Sequence, residues 1–387
     1  MRKILYFFVL IQFISCTEKQ KNIPAANNPI NQNEIQIEIN ENIETIGIIL
    51  NLSELGDFIL SNSRNERNYE FTRLIRNKFK DYKNHQAVLK FNKLNELNLA
   101  RPNYYYYGLS FSKLPEFKLI YPKYDEFYTN EKFNKNQVDS ILNDFDISIR
   151  NFYKDAKLKE YFDENKIIYK KIATEIQNVI PKKIISVMEQ YFGQYENRYV
   201  IIPSPTIPNG WNFGPEITTK LSKTFYHLSG PSYDLKPKRE DLATVTDKDS
   251  LGFDDKEKIT ELAIHEFGHS FIRFLDKNDN KKLIEQLSYL NTDELKENLK
   301  KIGEGTEWST GFEEHLVRAS EIMVWKKLGN QKIADQKLNY EREKEGLLYI
   351  YEFVDSLEKY ERKRDEYITL EIYFNELISD LMNIKNK

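Results

Sequence analysis

Apolar residues recur at three- and four-residue steps along most of the chain, while strict polar–apolar alternation is confined to a few short runs. That balance predicts helices over most of the length and only a little strand. Between Tyr69 and Leu99 the positions Phe71, Leu74, Ile75, Phe79 and Tyr82, then Val88, Leu89, Phe91 and Leu94, fall at helical spacing. A second helical stretch runs from Gln137 to Gln190 through Val138, Ile141, Leu142 and Phe145, with Pro181 set to break or restart it. A third, Asp254 to Asp276, carries Ile259, Leu262, Ala263, Phe267, Phe271, Phe274 and Leu275 on one stripe, with Asp254 and Glu257 placed as a capping box. Beyond it, Lys277–Leu299 reads as a polar helical connector and Gly303–Gly311 as a loop. Thr310 with Glu313 then predicts a cap for a helix from Phe312 to Leu328 that stops at Gly329. Two or more helices follow from Gln331 to Lys387.

Strand signals are few. Glu34–Ile39 alternates, and Arg198–Ile202, Thr224–Leu228 and Leu242–Thr246 are short β-rich runs. The last three lie in a stretch punctuated by Pro203, Pro205, Pro208, Gly210, Gly214 and Pro215. Glu44–Leu52 is apolar enough to be the first buried element. The pattern predicts a mostly helical α+β fold, with a small mixed sheet before the Asp254–Asp276 helix and a helical C-terminal part.

The first residues follow a different logic. Arg2 and Lys3 precede an apolar run from Ile4 to Ile14, too short to span a bilayer as a mature helix, which predicts an export signal over residues 1–15. Phe13-Ile14-Ser15-Cys16 resembles a bacterial lipobox, and Cys16 is the only cysteine in the chain. Lipidation at Cys16 would place the protein in the bacterial cell envelope, anchored to a membrane through its N-terminus. Residues 16–40, rich in Asn, Gln, Lys and Glu, read as a flexible tether. The expected body is a mainly helical region, 41–197, and a catalytic region, 198–387. The whole chain's formal net charge of −3 comes with interleaved Lys and Glu and no basic tract, so no nucleic-acid partner is expected. Asn103–Ser112, with four consecutive tyrosines, predicts core or cleft lining rather than a base-stacking platform, because no basic residues alternate with the rings.

The chemistry sits in the Asp254–Asp276 helix. Of five histidines in the chain, His265 and His269 stand four apart with Glu266 between them, an H-E-x-x-H arrangement. Residues four apart on a helix lie one above the other, so two imidazoles converge on one point. Glu266 flanks the same face and is placed to act as general base on a metal-activated water. This spacing is that of the zincins, with Zn2+ as the expected cofactor. Gly268, inside the helix, costs about 1 kcal/mol relative to alanine, which predicts that another segment passes close by. His85 stands alone between helices and reads as structural.

A catalytic zinc needs a third protein ligand. Ile272 and Leu275 occupy the places where an H-E-x-x-H-x-x-G-x-x-H continuation would put its glycine and third histidine. A carboxylate from the next long helix is the alternative. Glu314 fits best, with His315 the main rival and Glu313, Glu307 and Glu321 behind it. For an oxyanion donor, Tyr226, His227 and Arg318 qualify by residue type.

The segments HEFGHSF at 265–271 and EEHLVRA at 313–319, with ENIETIGII at 41–49 and YKNHQAV at 82–88, resemble a bacterial domain-of-unknown-function family. Its members are exported, often as lipoproteins, and are regarded as gluzincin-like zinc metallopeptidases. The resemblance implies a zincin-like fold, metal ligands His265, His269 and Glu314, and Glu266 as the catalytic base. It implies a peptide or protein substrate. One position departs from well-known gluzincins: Arg318 stands where an aspartate four residues after the ligand glutamate would orient a histidine. The competing expectations are a surface lipoprotein whose metal site is structural or vestigial, acting as a binding module, and a metal hydrolase of a non-peptide amide.

Overall fold

The computed structural model describes residues 34–61, 70–97, 104–121, 132–196, 198–219, 222–237, 239–246 and 248–384. The export signal, Cys16 and all but the end of the tether lie outside the described residues.

The chain enters through β1 (Ile35–Ile37), so the last residues assigned to the tether already belong to the fold. There follow α1 (Glu41–Leu52), α2 (Glu54–Ser61), α3 (Glu70–Phe79), α4 (Gln86–Glu96) and the short α5 (Tyr104–Tyr107). The long helical stretch is divided into α6 (Lys135–Asp155), α7 (Leu158–Glu164), α8 (Lys166–Val179) and α9 (Ile184–Phe192). As expected, Pro181 separates the last two. The sheet is completed by β2 (Arg198–Pro203), β3 (Asn212–Phe213), β4 (Glu216–Thr218) and β5 (Lys223–Ser229). The metal-motif helix is α10 (Lys256–Phe271), followed by α11 (Asn278–Glu285), α12 (Asp293–Ile302), α13 (Trp308–Lys327), α14 (Gln331–Glu343), α15 (Ile350–Arg362) and α16 (Leu370–Met382). The fold is mostly helical with a small mixed sheet, as the pattern predicts.

The sheet runs β1-β2-β5-β3, with β4 also pairing β5. β1, β2 and β5 are parallel, while β3 and β4 lie antiparallel to β5. Parallel neighbours need a crossover, and the whole set α1–α9 is the connection between β1 and β2. Residues 32–387 accordingly form one compact unit. Within it α1 is buried from Asn42 to Leu52, its Ile43, Ile46, Ile48, Ile49, Leu50 and Leu52 each nearly inaccessible. At about 1.5–3 kcal/mol per buried aliphatic side chain, this one helix contributes heavily to the core.

One face of the sheet and α9 hold α10 in place. Phe271 stacks on Phe192 at 4.6 Å and meets Phe225 edge-on at 5.1 Å, while Phe267 packs against Tyr199 and His227. On its other side α10 meets α13. A Cβ added to Gly268 would lie 2.8 Å from Val317 Cγ2, so α13 is the segment whose close passage the helix-interior glycine foretells.

Three expectations are corrected. Leu242–Thr246 is not a strand: Leu242–Thr244 forms a 3₁₀ turn, nucleated by the Asp241 side chain accepting from Ala243 N–H. α10 is capped by Asp255, which accepts from Lys258 N–H, while Asp254 instead accepts from Ser250 Oγ. α13 starts at Trp308, four residues before its expected origin, because the buried Trp308 donates through Nε1 to Ile284 O and Gly311 packs against Leu299.

Candidate metal centre

His265 and His269 lie in the last three turns of α10, at a point where that helix is fixed by aromatic packing on one side and by α13 on the other. Their Nε2 atoms face each other at 3.2 Å. From α13, Glu314 Oε1 approaches His269 Nε2 at 3.5 Å. One atom from each of the three residues falls within 4.8 Å of the other two. A tetrahedral ion bonded at about 2.0–2.2 Å separates its ligand atoms by roughly 3.3–3.5 Å. Two of the three separations are close to those edges and the third is wider, so the three side chains form a donor set that could hold a metal ion.

A charged side chain stands behind each of the three residues. His269 Nδ1 lies 2.9 Å from Glu313 Oε1, and His265 Nδ1 lies 3.8 Å from Glu321 Oε2. Glu314 turns its second oxygen, Oε2, to Arg318 Nε at 3.0 Å. Arg318 therefore braces the Glu314 carboxylate rather than a histidine, and the carboxylates that face the histidines come from positions one before and seven after Glu314. Burial lowers the pKa of His265, helped by the neighbouring His269. For His269 burial acts downward too, but the Glu313 hydrogen bond and the charge of Glu314 prevail and lift it to about 9. Burial pushes Glu266 up to about 7, and Glu304, on the loop after α12, rises to about 7 by burial and by the charge of Glu314. An excess of half-buried acid around two imidazoles is a field that a bound cation relieves.

Glu266 borders a cleft of about 670 Å³. Its walls combine Leu55, Phe58 and Ile59 of α2, the Gly210–Phe213 segment leading into and including β3, Leu262 and His265 of α10, Lys300 to Glu304, and Arg318. A Cβ on Gly214 would come within 2.4 Å of Glu266 O and 3.0 Å of Glu266 Oε2, so only glycine lets the strand edge approach the acid this closely. Trp211 O accepts from Gly230 N–H and Pro215 O from Tyr226 N–H. The alternate residues Asn212 and Gly214 therefore turn their main-chain groups away from β5. Among the described residues, β3 is an edge strand of the sheet, on the side near Glu266.

The remaining candidates separate cleanly. His315 is committed elsewhere: Nδ1 sits 2.6 Å from Gly311 O, Nε2 accepts from Tyr349 N–H, and burial lowers its pKa to about 4. Glu307 precedes the first residue of α13 and is exposed. His85 accepts from Ala87 N–H at the start of α4, a structural role as expected. Tyr226 alternates with His227 along β5 and answers to Arg198, Glu38 and Tyr121 rather than to the metal-motif residues. His227 is buried, its Nε2 2.9 Å from Asn212 Oδ1, and burial lowers its pKa to about 3. Of the three donors named by residue type, Arg318 alone lines the cleft. Sequence reasoning passes over Gly214, Asn212 and Glu304, which are loop or strand-edge positions with no periodic signal. Glu321 did carry one, standing two helical turns after Glu314 on the same face.

The fold and site define a mostly helical α+β protein with a two-histidine, one-glutamate donor triad at the junction of two long helices. Over residues 35–380 the chain matches the family described as Domain of unknown function (DUF4932), and it belongs to that family. No curated protein and no solved structure matches it.

Proposed function

We propose that the protein is a zinc-dependent, gluzincin-like peptidase with His265, His269 and Glu314 as metal ligands and Glu266 as general base. The observation that carries this reading is the convergence of the two Nε2 atoms and the Glu314 carboxylate within 4.8 Å of one another, beside a buried acid on a cleft wall. Zinc bound there supplies Lewis acidity, bringing the pKa of a water to near 7 and polarising a carbonyl. Glu266, whose burial raises its proton affinity to a pKa of about 7, acts as the carboxylate: it would take the proton from the water and return it to the leaving amine. The outward main-chain groups of Asn212 and Gly214 offer an extended peptide a strand to pair with, which orients the scissile bond over Glu266.

Glu266→Gln should lower hydrolysis of a casein or peptide-library substrate by roughly 10²–10⁴-fold while zinc content, measured by elemental analysis, stays at the wild-type level. Chelator should abolish wild-type cleavage. Persistent cleavage in the variant would remove Glu266 from the mechanism. Zinc uptake with no cleavage of any peptide would favour the binding-module reading instead.

A further inference from the structure

Behind the donor triad lies a charged cluster that the proposed chemistry does not use. α14 sends two residues, one turn apart, into the junction of α10 and α13. Lys337 Nζ lies 3.1 Å from Glu321 Oε1 and 3.0 Å from Glu261 Oε1, and Glu341 Oε2 lies 3.0 Å from Arg318 Nη1. The chain of contacts is continuous in both directions. Lys337 holds Glu321, which faces His265, and Glu341 holds Arg318, which grips Glu314. The side chains are only 11% exposed for Lys337, 3% for Glu321 and 2% for Glu341.

Such a cluster is a poor way to stabilise a fold. The desolvation of buried charges consumes most of what their attraction provides, and well-packed apolar residues of similar volume do as well or better. Apart from Glu341, α14 buries only Ala334 completely, with Ile333 and Leu338 partly buried against the core, so its charged residues make up much of what it turns inward. What the cluster does achieve is orientation. Glu321 and Arg318 have several rotamers each, and a partner on a third helix selects the one that faces the donor.

We propose that Lys337 and Glu341 are positioning residues that set the metal affinity of the site, with α14 acting as an electrostatic brace across both donor-bearing helices. The inference rests on the metal-site reading. Its test uses the full chain, zinc as probe, and competition with a chromophoric chelator, so that no catalytic activity is needed. Lys337→Met and Glu341→Gln should each weaken zinc binding by roughly 10–100-fold, the range seen when groups behind metal ligands are removed. Lys337→Arg should restore most of the loss. The visible absorption of the Co2+-loaded variants should change in shape, because loosened donors alter the coordination geometry. If Lys337→Met fails to fold, Glu341→Gln, which keeps shape and hydrogen-bonding capacity, carries the same two measurements. Zinc affinity and Co2+ spectrum both unchanged from wild type would overturn the brace, even with a lower melting temperature. A wild-type chain that takes up no zinc would instead overturn the metal-site reading, and the brace with it.

Discussion

Glu44 shows what burial does to a single side chain. It sits in the first turn of α1 with no exposed surface, and Tyr169 donates to its Oε2 at 3.1 Å. Burial raises its pKa to about 8, against hydrogen bonds from Ser204 and Tyr169 that act downward. The folded chain therefore prefers the protonated acid, and the sign follows. Stability from this group is complete below the unfolded-state value near 4.5 and is lost as pH rises through about 8. Glu44→Gln keeps the shape and removes the titration. The variant's stability advantage in urea unfolding should grow by up to roughly 1.4 kcal/mol per pH unit between 5 and 8, then level off. A difference that stays flat across that window would mean the carboxyl is ionised in the fold. The sequence pattern gave no hint of this acid, because a glutamate in the first turn of a helix, beside Glu41, looks like any solvated residue facing the helix dipole.

At the scale of elements, legibility tracked how local the cause was. The α10 motif was readable because both imidazoles and the acid come from five consecutive residues of one helix, and the pairing of Glu314 with it needed only a second helix downstream. Gly268 even announced the crossing. What failed depended on contacts distant in sequence: the early start of α13 comes from Trp308 reaching Ile284, and the loss of the Leu242–Thr246 strand from an aspartate cap that outcompetes β-propensity. α14 is the instructive case. Its sequence, QKIADQKLNYERE, reads as a solvated face, since a charge turned inward and one turned outward leave the same pattern. The α10–α13 contact also sets a measurable trade. Gly268→Ala gains about 1 kcal/mol of helix propensity, but its methyl would lie 2.8 Å from Val317 Cγ2 and force an overpacking penalty of about 1–3 kcal/mol. The net effect in chemical denaturation should be a loss. Adding Val317→Ala, which vacates that space, should recover most of it; no recovery would mean that the two helices do not meet through this pair.

The whole molecule is tied together by a topology that the division at residue 198 hides. β1 precedes the helices α1–α9 and then pairs in parallel with β2, so the sheet under the metal-motif helix joins a strand from before those helices to the strands β2–β5 that follow them. Phe192, at the end of α9, stacks on Phe271 of α10, and α8 and α9 both pack on α10. A chain limited to residues 198–387 keeps His265, Glu266, His269 and Glu314 in sequence but loses β1 along one side of β2, leaving unpaired N–H and C=O groups on a strand of buried Tyr199, Val200, Ile201 and Ile202. It also loses Phe192, which stacks on Phe271, and the helices α8 and α9 that pack on α10 and help to fix its roll. The donors would then sit on a helix free to turn, and their convergence on one point would go. Residues 32–387 should therefore be monodisperse with a cooperative unfolding transition and take up one equivalent of zinc, whereas residues 198–387 should aggregate or bind zinc at least 100-fold more weakly, roughly the upper end of the loss seen when groups that orient metal ligands are removed. A soluble 198–387 chain with wild-type zinc affinity would show that α10 and α13 orient the triad unaided, and would reduce the helical first half to a neighbour of the site rather than its frame.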